Sequence, residues 1–478
     1  MKELKMYIDG KFIENKSGQW IDVINPATEE VISRMPDGTV EDAKTAIDAA
    51  DKAQAAWERL PAVQRAAYLT KIADGIRKRE KELTDIIVRE GGKTQGLANV
   101  EVLFTADYLD YMAGWARRYE GEIIQSDRPN ESIFLFKKPI GVTTGILPWN
   151  FPFFLIARKA APALVTGNTI VIKPSQITPE NAFVFAQIVD ETGLPAGVFN
   201  IVNGRGSVIG QELAANPKVG MVSLTGSVEA GMQTMKAASV NVTKVSLELG
   251  GKAPAIVLPD ADIDLAVKSI IASRVINTGQ VCNCCERVYV HDSIKDVFIE
   301  KIVAGMQAVK AGNPSETAEL DMGPLVEAKA LKLVEEKVEK AIRQGAKLLC
   351  GGKRIGKTGY FFEPTVLINC SQKMDIIQEE TFGPVLPIIS YSELDDAIAW
   401  ANDCEYGLTS SVYTQNLDIA LKLIRALKFG ETYINRENFE AMQGFHAGWR
   451  KSGIGGADGK HGLEEYLQTH IVYVETQA

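Results

Sequence analysis

The feature that most constrains this chain is a repeated alternation of short β-branched runs with stretches of helical character. Five such runs lie between residues 141 and 247: Gly141–Leu147, Thr169–Lys173, Val198–Val202, Val219–Ser223 and Lys244–Leu247. Helical stretches such as Pro179–Thr192 separate them. Strands that alternate with helices in this way are typical of βαβ units. The sequence therefore predicts an α/β fold with a doubly wound parallel sheet.

A second alternating series begins near Ala253. Its predicted strands are Arg287–His291, Val385–Ile389 and Ser410–Tyr413, and its predicted helices include Ile294–Ala311 and Leu325–Gln344. A chain of 478 residues has room for more than one domain, at roughly 150 residues for each. The sequence predicts two α/β domains that join near Glu248–Lys252.

Three further segments stand outside these series. Apolar residues between Val40 and Trp115 recur every three or four positions, which predicts amphipathic helices. Residues 120–138 predict a protruding β-hairpin, and His470–Glu475 predicts an isolated strand that pairs outside its own domain. The resulting division is a first domain of residues 1–119 and 139–249, a second domain of residues 250–458, and an arm of residues 120–138 and 459–478.

Composition and charge exclude several classes of protein. Hydrophobic residues make up 46% of the chain and charged residues 24%, which is the balance of a soluble globular protein. The formal net charge of −9 repels phosphate backbones and anionic lipids, so neither nucleic acid nor a membrane is an expected partner. The most apolar stretch, Thr143–Val165, is interrupted by prolines and charged residues and predicts no transmembrane helix.

The N-terminus and the cysteines indicate the compartment. Residues 1–12 predict a strand, a turn and a second strand, where a signal peptide would need a basic start and an apolar core. None of the six cysteines precedes Cys282, and three crowd into residues 282–285, unlike the disulfide framework of a secreted protein. We predict a cytoplasmic protein with reduced thiols.

Two segments could contact a phosphate or a ribose. Gly226-Ser227 follows a predicted strand, and a helix N-terminus there could offer N–H groups and a hydroxyl to a pyrophosphate, with helix capping by Ser227 as the alternative. Lys173 ends a strand at the position where ligands bind in open α/β sheets, with a solvated lysine as the alternative. The glycines at 204, 206 and 210 lack the dinucleotide fingerprint spacing and favour a tight turn.

Cys282 and Glu248 are candidates for covalent and acid–base chemistry. Cys282 follows a small, polar segment that could set its thiol on a turn beside backbone donors and lower its pKa, although composition alone favours a buried, inert cysteine. The spacing of Cys282, Cys284 and Cys285 is too tight for a usual zinc site, so we predict no metal. Glu248 stands at an apolar strand end, where burial would raise its pKa toward use as a general base; a surface glutamate is the alternative.

Six motifs give the chain a resemblance to a known family. In chain order they are Pro148–Pro152, Lys173–Ser175, Thr225–Ser227, Glu248–Lys252, Gly279–Cys282 and Glu379–Pro384. Together they resemble the NAD(P)-dependent aldehyde dehydrogenase superfamily, in the same order and across most of the chain. The 34-residue separation of Glu248 and Cys282 also matches that family. The resemblance implies a cofactor-binding first domain, a catalytic second domain and an oligomerisation arm.

The resemblance implies a role for each matching residue. Cys282 would attack the aldehyde carbon, the Asn150 amide would hold the resulting oxyanion, and Glu248 would activate the water that releases the acid. The remaining residues would line the NAD(P) cleft: Trp149, Lys173, Ser175, Gln176, Gly226, Ser227, Glu380 and Phe382. Gln176 stands where many NAD-preferring members have glutamate, and it removes the repulsion of a 2′-phosphate, so NADP is also an expected cofactor.

The resemblance also implies a substrate class and an assembly. The segment Tyr433–His446 is similar to the lactaldehyde and glycolaldehyde branch of the family, which implies a small 2-hydroxyaldehyde substrate. The side chains expected at the substrate are Phe151, Arg158, Asn283, Glu440 and His446. An ion pair between Arg158 and Glu440, without substrate contact, is the alternative. The arm implies a homodimer or homotetramer.

Three competing interpretations accompany this one. Another short-chain aldehyde or semialdehyde could be the substrate. A CoA-acylating dehydrogenase would transfer the acyl group to CoA, but that branch tends to lack a water-activating base such as Glu248. A non-enzymatic structural protein on the same scaffold would need a decayed site, whereas Cys282, Asn150 and Glu248 are all present.

Overall fold

The computed structural model describes residues 1–15 and 17–477, so Lys16 and Ala478, the last residue of the predicted arm, lie outside the described residues. The strands are β1 Lys2–Glu3, β2 Met6–Ile8, β3 Lys11–Ile13, β4 Trp20–Ile24, β5 Val31–Pro36, β6 Glu122–Ile124, β7 Glu131–Pro139, β8 Val142–Ile146, β9 Thr169–Lys173, β10 Phe199–Ile201, β11 Val219–Thr225, β12 Lys244–Glu248, β13 Ala253–Val257, β14 Cys285–His291, β15 Lys347–Cys350, β16 Thr365–Ile368, β17 Val385–Tyr391, β18 Thr409–Tyr413, β19 Glu431–Ile434, β20 Gly453–Ile454 and β21 Leu467–Glu475.

Helices occupy most of the remaining chain. The α-helices are α1 Val40–Arg59, α2 Ala62–Lys78, α3 Glu80–Gly91, α4 Gln95–Ala113, α5 Phe154–Thr166, α6 Glu180–Glu191, α7 Gln211–Ala215, α8 Val228–Ala238, α9 Ile263–Val275, α10 Lys295–Ala308, α11 Ala328–Arg343, α12 Asp375–Gln378, α13 Leu394–Asn402, α14 Leu417–Ala426 and α15 Gly459–Glu464. Single helical turns cover Gly114–Arg117, Gly206–Gly210, Ser239–Asn241, Ile276–Gly279 and Arg450–Ser452. None of the helices in the described part of the chain is long and apolar enough to cross a membrane.

The first large sheet confirms the predicted doubly wound architecture. Its strand order is β20-β12-β11-β8-β9-β10-β2-β3, and the strands from β12 to β10 run parallel. Every residue of β9 is buried, as expected for a parallel strand covered by helices on both faces. The N-terminal hairpin β2–β3 adds an antiparallel edge, with its turn at Asp9-Gly10.

The second large sheet is built by the second alternating series. Its order is β15-β16-β17-β14-β13-β18-β19, and only β15 runs antiparallel to its neighbour. The strands predicted at residues 287–291, 385–389 and 410–413 correspond to β14, β17 and β18. An apolar core packs against this sheet, with buried members that include Ile256, Tyr289 and Val412.

The arm sheet joins two distant parts of the chain. Strand β21 pairs antiparallel with β7 over nine residues, from Leu467 opposite Pro139 to Glu475 opposite Glu131. Strand β6 lies on the other side of β7. The predicted hairpin and the predicted tail strand therefore form one sheet. Its surface exposes apolar side chains, among them Ile123, Phe136 and Tyr473.

Two features differ from the sequence prediction. The small sheet of β1, β5 and β4 was not predicted, since its strands are short and partly exposed. The second domain was predicted to run to residue 458, but Gly453–Ile454 pairs with β12 of the first sheet, and α15 contacts α5. The chain thus returns to the first sheet before the arm. The division into three domain ranges stays a prediction.

Local sequence explains where the helices of the first quarter begin and what they bury. Thr39 caps α1 through a capping box, in which its hydroxyl accepts from the Asp42 N–H and the Asp42 carboxylate accepts from the Thr39 N–H. In α2 the residues Leu69, Ile72 and Ile76 are buried, which is the face that their three-to-four spacing predicts. Helix α1 packs directly on the first sheet, whereas α2 packs on the helices α4 and α5.

Candidate active site

Cys282 lies where the loops at the carboxyl ends of the first-sheet strands meet the chain that enters β14. The backbone approaches closely here, because a Cβ atom on Gly251 would lie only 2.3 Å from the Cys282 carbonyl oxygen. Glycine is therefore required after Glu248-Leu249-Gly250 if the chain is to pass this close to the backbone of Cys282. The thiol is only partly buried, whereas the sulfurs of Cys284 and Cys285 are fully enclosed.

A strained turn places Cys282. Asn277 and Thr278 have φ angles of 46° and 60°, in the left-handed region that non-glycine residues rarely adopt. The buried Gln280 side chain stabilises the turn, since its Nε2 donates to the Asn277 carbonyl at 3.0 Å and its Oε1 accepts from the Val326 N–H at 2.9 Å. Within the described residues, the Cys282 N–H donates to no protein acceptor. That N–H is free to bind an oxyanion.

Asn150 faces the same space from the loop after β8. Its side-chain Nδ2 donates to the Gln280 carbonyl at 3.1 Å, and its Oδ1 accepts from the Phe151 N–H at 3.1 Å. The first bond occupies one of the two amide protons, so the second proton remains available to a ligand. Asn150 and Cys282 line both cavities described below.

A buried ion pair that the sequence analysis missed supports Asn150 from behind. Lys93 and Glu101 contact each other with almost no solvent exposure, and Lys93 Nζ donates to the Asn150 carbonyl at 2.8 Å. Glu101 accepts from the N–H groups of Phe153 and Phe154, at 2.9 Å and 3.1 Å, and so caps the start of α5. No motif spacing relates Lys93 to Asn150, which left this contact invisible in the sequence.

Glu248 is buried, so its interpretation as a surface residue is wrong. The expected direction of its pKa is also wrong. Burial raises the pKa of the Glu248 carboxyl, but the positive charges of Arg158 and Lys159 outweigh burial and bring it below the ordinary value. The Thr225 hydroxyl donates to Glu248 Oε2 at 2.9 Å. Glu248 is therefore a carboxylate able to accept a proton from water.

The three clustered cysteines differ in their surroundings. Burial raises the pKa of the Cys282 thiol, against the lowering expected from the sequence, while the adjacent His446 side chain opposes that rise. Burial raises the pKa of Cys284 and of Cys285 to about 12, and the positive charge of Arg274 opposes that rise only in part. Cys282 lines both cavities described below, and Cys284 and Cys285 line neither of them.

All five residues expected at the substrate line one cavity beside Cys282. It has about 720 Å³ of empty volume, part of it open to solvent, and its wall includes Phe151, Arg158, Asn283, Glu440 and His446. Phe154 and Phe104 narrow the same space. The cavity thus combines an aromatic wall with a cluster of polar and charged groups.

The strongest partner of Arg158 is one that the sequence analysis did not identify. Arg158 Nε donates to Asp458 Oδ1 at 3.0 Å and its Nη2 contacts the second carboxylate oxygen, which makes a bidentate pair. The expected partner Glu440 is farther away, with 3.4 Å between Nη2 and Oε1. The Asn283 amide also donates to Glu440. The proposed Arg158–Glu440 pair therefore exists, but it is secondary to Asp458.

The second cavity opens on the other side of Cys282. It is lined by Pro148, Trp149, Gly226, Ser227, Leu249, Gly250, Glu380 and Phe382, together with Asn150, Thr225, Glu248 and Cys282. The rings of Trp149 and Phe382 stand edge to face with centroids 5.5 Å apart. Ser227 caps α8 by accepting from the Ala230 N–H, which confirms the capping alternative.

Two charged residues, Glu380 and Lys173, were predicted for the cofactor cleft. Glu380 accepts from the Gly251 N–H at 2.9 Å, and burial raises the pKa of its carboxyl to about 7. Lys173 is buried, so the solvated-lysine alternative is wrong, and burial lowers its pKa to about 8. Ser175 and Gln176 follow it at the end of β9 and, like Lys173, do not line the cavity beside Cys282.

These residues fit a dinucleotide. Lys173 has three ammonium protons and, in the described chain, one acceptor, the Pro174 carbonyl at 3.0 Å. Its unused donors lie at the carboxyl end of β9. The neighbouring strand β8 leads to Trp149, and β11, on the far side of β8, leads to Gly226. A helix N-terminus at Ser227 adds free N–H groups for a phosphate.

Comparison with known proteins places the chain among its relatives. A model of the aldehyde dehydrogenase family matches residues 12–472. The chain is 66% identical to lactaldehyde dehydrogenase from Escherichia coli over 471 residues, which cover 98% of each chain. The crystal structure of lactaldehyde dehydrogenase from Escherichia coli superposes with a TM-score of 0.99, 65% identity and coverage of 99% of each chain. The structure of 3,6-anhydro-L-galactose dehydrogenase in complex with NAP superposes with a TM-score of 0.97, at 42% identity, and the match covers 99% of this chain and 100% of that chain.

Proposed function

The chain belongs to the aldehyde dehydrogenase family, and on that premise we propose that it oxidises a short 2-hydroxyaldehyde, such as lactaldehyde or glycolaldehyde, to the carboxylate. Enzymes of this family are oxidoreductases that use NAD(P) and form a thioester on a cysteine. The observation that carries the proposal is the convergence of Cys282, Asn150 and Glu248 between a polar cavity and a dinucleotide cleft.

Cys282 is the proposed nucleophile. Its thiolate attacks the aldehyde carbon and forms a thiohemiacetal whose oxygen carries the negative charge. The free proton of the Asn150 amide and the Cys282 N–H are the proposed donors to that oxygen. The Lys93–Glu101 pair fixes the backbone of Asn150 and so holds the amide donor in place before the charge forms.

The proposed cofactor site lies against the opposite face of Cys282. When bound there, NAD(P) would supply the acceptor for the hydride on the former aldehyde carbon, so that oxidation would leave the acyl group on Cys282 as a thioester. Glu380 and Phe382 are the proposed contacts of the nicotinamide end, and their place in the cavity beside Cys282 supports this role. Lys173, Ser175 and Gln176, at and after the end of β9, are the proposed contacts of the adenosine ribose.

Glu248 is the proposed base for hydrolysis. Its carboxylate takes a proton from water, and the resulting hydroxide attacks the thioester carbonyl and expels the Cys282 thiolate. Arg158 Nη1 lies 3.9 Å from Glu248 Oε2, and its charge keeps Glu248 ionised. Such a base supports water, rather than CoA, as the acceptor of the acyl group.

The polar cavity supports a hydroxylated substrate. Arg158, Glu440 and His446 offer donors and acceptors within the space that an aldehyde side chain would enter. A site that hydrogen-bonds a hydroxyl rejects an analogue without it far more strongly than an apolar pocket rejects one methylene group. The 66% identity to a lactaldehyde dehydrogenase favours the same substrate class.

Cofactor preference, assembly and compartment extend the proposal. Gln176 hydrogen-bonds a ribose without repelling a 2′-phosphate, so NADP is accepted beside NAD. The exposed apolar surface of the arm, which includes Ile123 and Tyr473, is the proposed contact of a homodimer or homotetramer. We propose a cytoplasmic location, in keeping with six free cysteines.

Reduced-cofactor absorbance with a panel of aldehydes tests the proposal. The purified enzyme is given lactaldehyde, glycolaldehyde, propanal and benzaldehyde, each with NAD and with NADP and without CoA. We expect kcat/KM for lactaldehyde to exceed that for propanal by about tenfold or more. Equal values for propanal and lactaldehyde would remove the hydroxyaldehyde assignment, a requirement for CoA would favour the acylating alternative, and no signal with any pair would favour the structural one.

A further inference from the structure

A carboxylate and an imidazole contact each other beside Cys282. His446 Nδ1 lies 2.5 Å from Glu431 Oε1, and the Tyr433 hydroxyl also donates to Glu431. The His446 side chain is near enough to the Cys282 thiol to lower its pKa. Because Glu431 occupies Nδ1, Nε2 is the ring nitrogen that remains available to the sulfur. Both His446 and Cys282 line the substrate cavity.

The surroundings favour a charged imidazole. Burial lowers the pKa of His446, but the carboxylate of Glu431 outweighs burial and holds that pKa well above its ordinary value. The positive charge of Arg158, on α5, opposes this charge. The carboxylates of Glu248 and Asp458 also interact with His446, and Glu440 lines the same cavity. The net local charge is therefore negative around His446, which stabilises an imidazolium.

We propose that Glu431 holds His446 as an imidazolium against Cys282 and that this charge stabilises the Cys282 thiolate. His446 then keeps both ring protons, one donated to Glu431 and one donated to the sulfur. The thiol proton leaves to water in the cavity, and no other group changes its charge. In this account His446 is a catalytic residue, since it would donate to the reacting sulfur, and Glu431 is a positioning residue.

The inference rests on the proposed role of Cys282 and adds a second role for His446 beside recognition of a substrate hydroxyl. The two roles differ in what they require. A recognition role acts only when substrate is bound, whereas thiolate stabilisation acts in the free enzyme. An opposite charge at hydrogen-bonding distance lowers a thiol pKa by about one to three pH units. The reactivity of Cys282 in the free enzyme therefore separates them.

The experiment measures the rate of Cys282 alkylation by iodoacetamide across a pH series. The full-length enzyme is used without cofactor or aldehyde, and the Cys282 peptide is quantified by mass spectrometry so that Cys404, also partly exposed, does not interfere. Iodoacetamide is uncharged, so changes in cavity charge do not alter its local concentration. The midpoint of the curve of alkylation rate against pH reports the pKa of the Cys282 thiol. We expect His446→Phe to raise this midpoint by about one pH unit or more and to slow alkylation at pH 7 by about tenfold.

Two further variants make the result specific. Glu431→Gln should raise the midpoint by a smaller amount, because His446 then loses its charge at a lower pH. His461→Phe is the matched control, since this histidine side chain is 69% exposed, and it should leave the midpoint unchanged.

Equal midpoints in the unmodified enzyme and His446→Phe would overturn the proposal, and a rise in KM for lactaldehyde alone would then assign His446 to recognition. If His446→Phe does not fold, an unchanged midpoint in Glu431→Gln overturns it equally. Because alkylation needs no turnover, an enzyme with the expected profile but no aldehyde oxidation would contradict the proposed function and leave the inference standing.

Discussion

The two cavities that flank Cys282 are built in different ways. The cofactor side is lined by backbone turns, two aromatic rings and few charged groups, with Glu380 as its own carboxylate. The substrate side gathers a dense cluster of charges around Arg158, with Asp458, Glu440 and Glu248 all within 4 Å of its guanidinium. In the proposed function, local loop geometry holds the cofactor, whereas charges that depend on one another select the aldehyde.

This difference predicts which properties a substitution on each side should change. Changes on the substrate side disturb several buried charges at once and should alter both stability and selectivity. Changes on the cofactor side should alter cofactor preference alone. The wall between the cavities, formed by Cys282, Asn150 and Glu248, belongs to both and should control the whole reaction.

The largest effect is expected at that shared wall. Cys282→Ser should lower kcat by at least about 10³-fold, because the hydroxyl is a far weaker nucleophile than the thiolate. Cys284→Ser is the matched control and should keep most of the activity, since its sulfur is enclosed and lines neither cavity. Steady-state formation of reduced cofactor measures both. Equal loss in the two variants would show that the effect comes from packing rather than from the nucleophile.

Smaller effects are expected on the substrate side, where Asp458 and Glu440 should differ in what they contribute to stability and to selectivity. Asp458→Asn removes the bidentate partner of buried Arg158 and should lower the free energy of unfolding by about 2–3 kcal/mol, since Glu440 and Glu248 compensate only in part. Glu440→Gln, at a partly exposed carboxylate, should cost less than about 1 kcal/mol but reduce the preference for lactaldehyde over propanal. Denaturant titration and kcat/KM ratios check the pair. If both variants lose equal stability, Asp458 is not the main partner of Arg158.

The smallest effect is expected on the cofactor side. Gln176→Glu should shift the NAD/NADP ratio of kcat/KM toward NAD by about tenfold, because the new carboxylate would repel a 2′-phosphate. The lactaldehyde/propanal ratio should stay the same, since Gln176 does not line the substrate cavity. An unchanged NAD/NADP ratio would mean that residue 176 does not face the ribose. A changed aldehyde ratio would mean that the two sides are coupled.

The same difference explains how much the sequence could predict. The alternation of strands and helices predicted the two large sheets, and the motifs around Trp149, Gly226 and Glu380 predicted residues that share one cavity. These motifs are contiguous, because a strand end and the following turn shape the backbone locally. A few consecutive residues are therefore enough to predict which residues line the cofactor side.

The charged cluster could not be predicted in the same way. Arg158 and Asp458 stand 300 positions apart in the chain, and the partner chosen from the sequence was Glu440. Likewise, the sequence predicted a raised pKa for Glu248 from burial alone, and the positive charge of Arg158 reversed that direction. Such outcomes depend on which distant side chains the fold brings within a few ångströms, and neither periodicity nor spacing encodes them.

The most direct test of the account is to capture the acyl group on the nucleophile. Glu248→Gln keeps a side chain of the same shape but removes the base, so acylation should proceed and hydrolysis should nearly stop. Mixed with lactaldehyde and NAD, this variant should release about one reduced cofactor per active site in a rapid burst. Mass spectrometry should then find one lactoyl group on the peptide that contains Cys282. Normal steady turnover, or a lactoyl group on any other residue, would contradict the account.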